Sequence, residues 1–305
     1  HRDLHSFPTR RSSDLTNDVD FIVEHDSPVV ALPPAGEASD VDIVVAKLVL
    51  EEIVDGACIQ LGIGGMPNAI GQMIAASDLK DLGLHTEMLV DAYLDMYKAG
   101  KITNTKKTVD KGRGVFGFAL GTTDLYEWAR ENPGLISAPI DYCNDPYVMM
   151  EMDNMTSINN CLEVDLFGQI ASESSGFRQI SGTGGQLDFL TATHMSKGGK
   201  GLICMSSTFT DKDGVKHSRI VPTLAPGTIV TCPRSQAMFI VTEFGKVNLA
   251  GNTTWQFAEN LISVADPDFR DALIASAEKM GIWRRSNKRR SEEHTSELQS
   301  PSWIS

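Results

Sequence analysis

The spacing of apolar positions changes period repeatedly along the chain, and each change marks an element. Residues 41–54 (VDIVVAKLVLEEIV) carry apolar side chains at helical spacing, with Asp40 placed as the N-cap. Residues 57–62 (ACIQLG) form a short apolar run of strand length. Glycines follow, and Pro67 opens a helix through Ala76, where proline suits the first turn. Strand, glycine turn and helix within about thirty residues make one unit of a parallel α/β sheet. The pattern continues with a strand over 84–90, a helix over 91–99 closed by Gly100, a strand over 114–120 and a helix over 122–131.

Residues 157–173 (SINNCLEVDLFGQIASE) alternate as antiparallel strands do, with Gly168 at a kink. A helix is expected over 187–195. Strands over 201–209 and 217–224 flank 211–214 (DKDG), whose Asp-Gly pair signals a hairpin. An apolar strand over 237–243 precedes a capping box, Thr253 with Gln256, that opens a helix to about residue 264. Asp266 and Pro267 begin a last helix ending near Gly281. No repeat or low-complexity tract interrupts the series. The expected fold is therefore one compact α/β domain with an open, mostly parallel sheet flanked by helices.

Composition narrows the partners. The 305 residues carry 27 Lys+Arg against 40 Asp+Glu, a net charge of −13. Nucleic acid and anionic lipid both need a basic face, so neither is expected as the main partner. No apolar run reaches the ~18 residues of a membrane span. At 41% apolar residues, disorder is excluded as the dominant state. The five cysteines, Cys58, Cys143, Cys161, Cys204 and Cys232, are odd in number and widely spaced. No CxxC or Cys/His cluster appears, which argues against a metal site and a disulfide framework. Reduced, buried thiols in a cytoplasmic protein are the expectation. Met149, Met150, Met152 and Met155 read as packing.

Residues 5–15 (HSFPTRRSSDL) and 290–300 (RSEEHTSELQS) break abruptly from their neighbours and read as in-frame translations of sequencing-library adapters. The ends, 1–15 and 290–305, are accordingly set outside the fold, as a tag would be.

Four clusters could carry chemistry. Gly62, Ile63, Gly64, Gly65 and Met66 lie between a strand and a helix. Glycines there let backbone N–H groups approach an anion or a developing oxyanion, or else simply make a tight turn with φ > 0. The turn is neither a full GxGxxG nor a Walker loop. His85 and Glu87, two apart in a strand, share one face, with Thr86 on the other. An ionisable group in an apolar strand is costly unless paired or used. A second glycine loop, 181–189 (SGTGGQLDF), contains Gly184 and Gly185 and precedes a helix; its Asp188 reads also as a first-turn carboxylate favoured by the helix dipole. Glu243 ends an apolar strand, where it lines a cleft or merely terminates the strand. Lys212 falls at the hairpin tip, a cation able to meet a phosphate or only water.

In this order, the strings LGIGGMPNAIG, DLGLHTEMLVDAYLDMYKAG, EVDLFGQIASESSG, SGTGGQLDF, STFTDKDG, IVTEFG and IWRRSNK resemble the class I CoA-transferases. The likeness is strongest to the branch of butyryl-CoA:acetate and 4-hydroxybutyrate CoA-transferases, related to acetyl-CoA hydrolases/transferases. It runs from about residue 42 to 288. The resemblance implies a two-domain protein of which 41–289 is the C-terminal catalytic domain, with an open α/β sheet like that of ribose-5-phosphate isomerase. Residues 16–40 would be a linker or the end of the missing N-terminal domain. It implies Glu87 as the nucleophile. Gly62, Ile63, Gly64, Gly65 and Met66 would offer backbone to CoA, and Gly184 and Gly185 would border the thioester. Leu162 and Lys212 follow as further CoA contacts. One departure is Ala250, where relatives tend to carry a basic residue, which removes an ionic contact from that turn.

The activity so implied moves CoA between a short-chain acyl-CoA, butyryl-CoA or 4-hydroxybutyryl-CoA, and acetate. No permanently bound cofactor or metal is needed, coenzyme A being a substrate. Homo-oligomerisation is expected because half a cleft is missing. Three alternatives stay open: an acyl-CoA hydrolase, a fragment that binds CoA without turnover, and a sugar-phosphate isomerase of related architecture. The last predicts Lys or Arg beside the first glycine turn, and residues 62–76 contain neither.

Overall fold

The computed structural model describes residues 21, 23–34 and 36–282. The expectations for 1–15, 283–289 and 290–305, and part of that for 16–40, lie outside them. The chain divides into two compact units, 1–159 with 188–201, and 160–187 with 202–305.

In the first unit the elements run α1 (Asp40–Leu50), β1 (Cys58–Leu61), α2 (Gly65–Ala76), β2 (Gly83–Leu89), α3 (Asp91–Lys98), β3 (Gly114–Ala119), α4 (Thr123–Ala129), β4 (Leu135–Ser137) and, after two short helices, β5 (Met155–Asn160). Every pairing is parallel, in the order β5-β1-β2-β3-β4. Helices cover both faces, as parallel sheets require. On one side Tyr93 of α3 accepts a bond from the Leu61 N–H at 2.7 Å. On the other, Phe189 and Ala192 of the Gln186–Met195 helix join Cys58, Met149, Met152 and Met155 in one buried cluster. The methionines other than Met150 are thus core, as expected.

Two local readings need correction. The cap of α1 is Ser39, not Asp40: its Oγ accepts from the Asp42 N–H, and the Asp42 carboxylate accepts from the Ser39 N–H, a reciprocal capping box. The helix also stops at Leu50, short of the expected 54. Further on, the start of the 157–173 run is not antiparallel, because β5 pairs parallel to β1 through Met155↔Cys58 to Ile158↔Leu61. Ser157 and Asn159 are buried there and hydrogen-bonded to Gln60. The rest of the run does form a hairpin, Glu163–Asp165 against Ile170–Ala171, with Gly168 at φ +84 between them.

The second unit is built on the Lys200–Cys204 strand, parallel to Phe239–Thr242, which pairs antiparallel with Gly245–Asn248. The DKDG turn joins Thr208–Thr210 to Lys216–Ser218 in the expected hairpin. The Thr253–Gln256 capping box and the Asp266 cap form as read. Mostly parallel strands flanked by helices confirm the α/β class. All five cysteines are buried and none is in a disulfide. Burial is the largest cause lifting the Cys58 thiol to about 11 and that of Cys161 to about 12.

Candidate active site

The first glycine turn follows β1 directly. Gly62 donates its N–H to the Ile158 carbonyl at 2.7 Å. A Cβ there would stand 2.8 Å from Asn159 Oδ1, so only glycine fits against that amide. Gly64 adopts φ +111 as the N-cap of α2, a conformation that L side chains rarely take. Gly65 differs, because its Cβ direction is open space. Ile63 is exposed and Met66 is buried in the core. The turn therefore has a conformational reason at Gly62 and Gly64, while Gly65 has room beside it.

Beneath the turn lies a polar network that the sequence did not announce. Gln60 and Asn159 exchange amide bonds at 3.0 and 2.8 Å, and Ser157 Oγ donates to Gln60 Oε1 at 2.7 Å. All three are buried. Gln60 sits in an apolar strand and Ser157 and Asn159 in a polar one. The signal available was the coincidence of three amide or hydroxyl side chains in strands that must pair.

Glu87 is half-buried near the carboxyl end of β2, the edge where parallel sheets hold ligands. His85 and Glu87 point to one side and Thr86 to the other, as strand periodicity required. Thr86 faces Tyr93, and the charge of Glu87 acts on Cys143 and Asp188. His85 is fully buried, with its Nε2 2.7 Å from the Cys143 carbonyl. A carbonyl only accepts, so Nε2 carries the proton and the ring is the Nε2–H tautomer. Burial, and then the charge of Lys107, push the His85 pKa down to about 3. His85 is thus a neutral structural donor, and Glu87 is the half-buried carboxylate on the same face.

Lys107 is the buried cation of this region. Its Nζ donates to the carbonyls of Leu84 and Arg113 at 3.0 and 2.7 Å. Burial pushes its pKa down. The lysine braces β2 one residue ahead of His85.

In the second unit Gly184 takes φ +57 and is exposed, and Gly185 is buried. Leu162 is half-buried, its N–H on the Ala171 carbonyl and its own carbonyl on Arg219. Lys212 is exposed at the hairpin tip. Glu243 accepts from the Ser207 N–H at 2.8 Å and the Ser207 hydroxyl at 2.6 Å, so its carboxylate is held at the strand end. The sequence-derived candidates therefore fall into two sets. Glu87 and the 62–66 turn share the first unit, and Gly184, Gly185, Leu162, Lys212 and Glu243 belong to the second. Among the described residues no group of three or more His, Cys, Asp or Glu could hold a metal ion, and no helix is long and apolar enough to cross a membrane.

A glycine turn entering a helix thus follows β1, and a carboxylate stands near the end of β2. The chain belongs to the acetyl-CoA hydrolase/transferase family, matching that family's C-terminal domain over residues 121–277. It is 58% identical over 271 residues to the butyryl-CoA:acetate CoA-transferase of Anaerostipes caccae, covering 88% of this chain and 61% of that protein. Among solved structures it resembles RipA from Yersinia pestis, with a TM-score of 0.80 and 40% identity over 88% of this chain and 59% of that one. It also resembles the 4-hydroxybutyrate CoA-transferase of Porphyromonas gingivalis, with a TM-score of 0.71 and 37% identity over 85% and 59%. The chain thus spans about three fifths of the length of these relatives.

Proposed function

We propose that the protein containing this chain is a CoA-transferase that moves CoA between a short-chain acyl-CoA and acetate through a covalent intermediate on Glu87. The carrying observation is Glu87 itself, an ionisable side chain near the carboxyl end of β2 on the side shared by Cys143 and Asp188. The names of the Anaerostipes and Porphyromonas relatives support the substrate class, butyryl-CoA or 4-hydroxybutyryl-CoA with a carboxylate acceptor.

The chemistry follows from the carboxylate. Glu87 Oε attacks the thioester carbonyl, the C–S bond breaks, and CoA leaves as thiolate. The thiolate then attacks the Glu87 carbonyl of the mixed anhydride, the free acid departs, and a glutamyl-CoA thioester remains. Acetate runs the same steps backwards, giving ping-pong kinetics. A carboxylate is a weak nucleophile, and holding it in contact with the thioester supplies on the order of 7–11 kcal/mol of the barrier. N–H groups of the 62–66 turn would stabilise the tetrahedral oxyanions, each donor worth about 3–4 kcal/mol. Within the second unit, Gly184, Gly185, Leu162 and Lys212 are the proposed contacts for CoA. No resident cofactor enters, coenzyme A being consumed and returned. A second, N-terminal α/β domain, self-association and a cytoplasmic setting belong to the same proposal.

In the full-length protein, Glu87→Gln should abolish exchange of CoA between butyryl-CoA and acetate; retained exchange would overturn the reading. The hydrolase alternative, favoured by the family's own description, is separated by assaying CoA release with and without acetate. Release that needs no acetate would assign a hydrolase.

A further inference from the structure

Asp188 is a carboxylate of the first unit with no part in the steps above. It stands in the first turn of the Gln186–Met195 helix. The neighbouring Phe189 ring packs edge-on against His85, with centroids 6.5 Å apart. Strand periodicity puts Glu87 on the same face as His85. The Asn144 amide donates to the Asp188 carboxylate. Asn144 is itself fixed, because Cys143 before it is bonded to His85 and to the Thr86 carbonyl. Strand β2, the Ile140–Cys143 helix and the Gln186–Met195 helix thus converge on two carboxylates.

A helix N-terminus ordinarily holds an aspartate below its usual pKa. Asp188 is raised instead, by burial first and then by the charge of Glu87, while the Asn144 bond works the other way and favours the anion. The charge of Glu87 thus reaches Asp188.

We propose that Asp188 is a positioning residue that acts through Glu87, its negative charge favouring conversion of the Glu87 carboxylate into the uncharged glutamyl-CoA thioester. The inference rests on the transferase reading. The net step converts the Glu87 carboxylate and acyl-CoA into the Glu87 thioester and a free carboxylate. One Glu87 oxygen leaves with the acid, the C–S bond to the acyl group is exchanged for a C–S bond to Glu87, and the negative charge departs with the product. Repulsion between positions 87 and 188 exists before the step and is gone after it. Removing the charge at 188 makes the free carboxylate more comfortable and the thioester less populated.

The test is intact-mass measurement of the CoA adduct at Glu87 in the full-length protein, equilibrated at a fixed ratio of butyryl-CoA to butyrate. Asp188→Asn should lower the ratio of thioester to free enzyme about three- to tenfold, the size of a charge interaction of up to one pKa unit. Asp188→Glu should restore it. Asp188→Ser, also uncharged, serves where the asparagine variant fails to fold. A folded uncharged variant with an unchanged ratio overturns the inference alone. Absence of any adduct at Glu87 in the unaltered protein overturns the transferase reading and this inference with it.

Discussion

His85 donates from Nε2 to the Cys143 carbonyl at 2.7 Å, and the Cys143 thiol returns a bond to the Thr86 carbonyl at 3.0 Å. The pair locks the end of the Ile140–Cys143 helix to β2 within two residues of Glu87. A histidine fits because a neutral Nε2–H can satisfy a buried carbonyl without bringing a charge.

His85→Phe should leave that carbonyl unpaired and cost about 1–3 kcal/mol, read as a lower melting temperature. The same residue predicts a pH dependence. In the unfolded chain His85 titrates at its ordinary 6.5, and in the fold at about 3. Between those values the unfolded chain holds the extra proton, so stability rises with pH. The contribution is complete above the unfolded value and drains away as pH falls, by about 1 kcal/mol at roughly one unit below it. Denaturant titrations of the unaltered protein and His85→Gln should diverge in slope with pH over this window. Parallel curves would refute the assignment.

The glycine turn separates conformational need from ligand contact. Gly62→Ala should destabilise the fold, since its Cβ would meet Asn159 Oδ1 at 2.8 Å. Gly64→Ala should cost about 1–2 kcal/mol for its left-handed backbone. Gly65→Ala has open space and should leave the melting temperature within a degree or so. Loss of CoA-exchange activity in Gly65→Ala, at unchanged stability, would mark the backbone there as a substrate contact. Full activity would assign the turn to folding.

The amide network should be cooperative. Gln60→Ala removes both bonds to Asn159 and the one from Ser157, stranding buried donors at about 1–3 kcal/mol. In a double-mutant cycle the Gln60→Ala and Asn159→Ala effects should fall short of additivity by about 0.5 kcal/mol or more. Strict additivity would show that the two side chains act independently.

The cysteines should be silent until the protein unfolds. All five are buried, and burial pushes the thiols of Cys58, Cys143, Cys161 and Cys204 up, which starves them of thiolate. A chromogenic disulfide reagent should report almost no reaction at neutral pH and five thiols in denaturant. Fast labelling of the folded protein would contradict this burial.

Local order was legible because it is written locally. The 3.6-residue and two-residue periods located the helices and strands of the first unit. The alternation at 85–87 assigned His85 and Glu87 to one face before any neighbour was known. Capping residues at Thr253 and Asp266, and the Asp-Gly hairpin, were read from side chains that bond within a few residues of themselves. What failed depended on partners far along the chain. The 157–173 run read as antiparallel from its start, because the strand that pairs with Ser157 and Asn159, and the Gln60 that bonds them, lie about a hundred positions away. Asn144 carries no periodic mark, and its meaning comes from Cys143 below it and Asp188 beside it. Asp188 looked like an ordinary helix-start carboxylate until burial first, and the charge of Glu87 second, pushed its pKa up. Residue types and spacing therefore determined the elements and the face that Glu87 shares with His85, while its role as nucleophile came only from the family resemblance. Tertiary packing decided which polar groups are paired and which charges face each other, since hydrogen bonds and Coulomb forces act across space, whatever the separation in sequence.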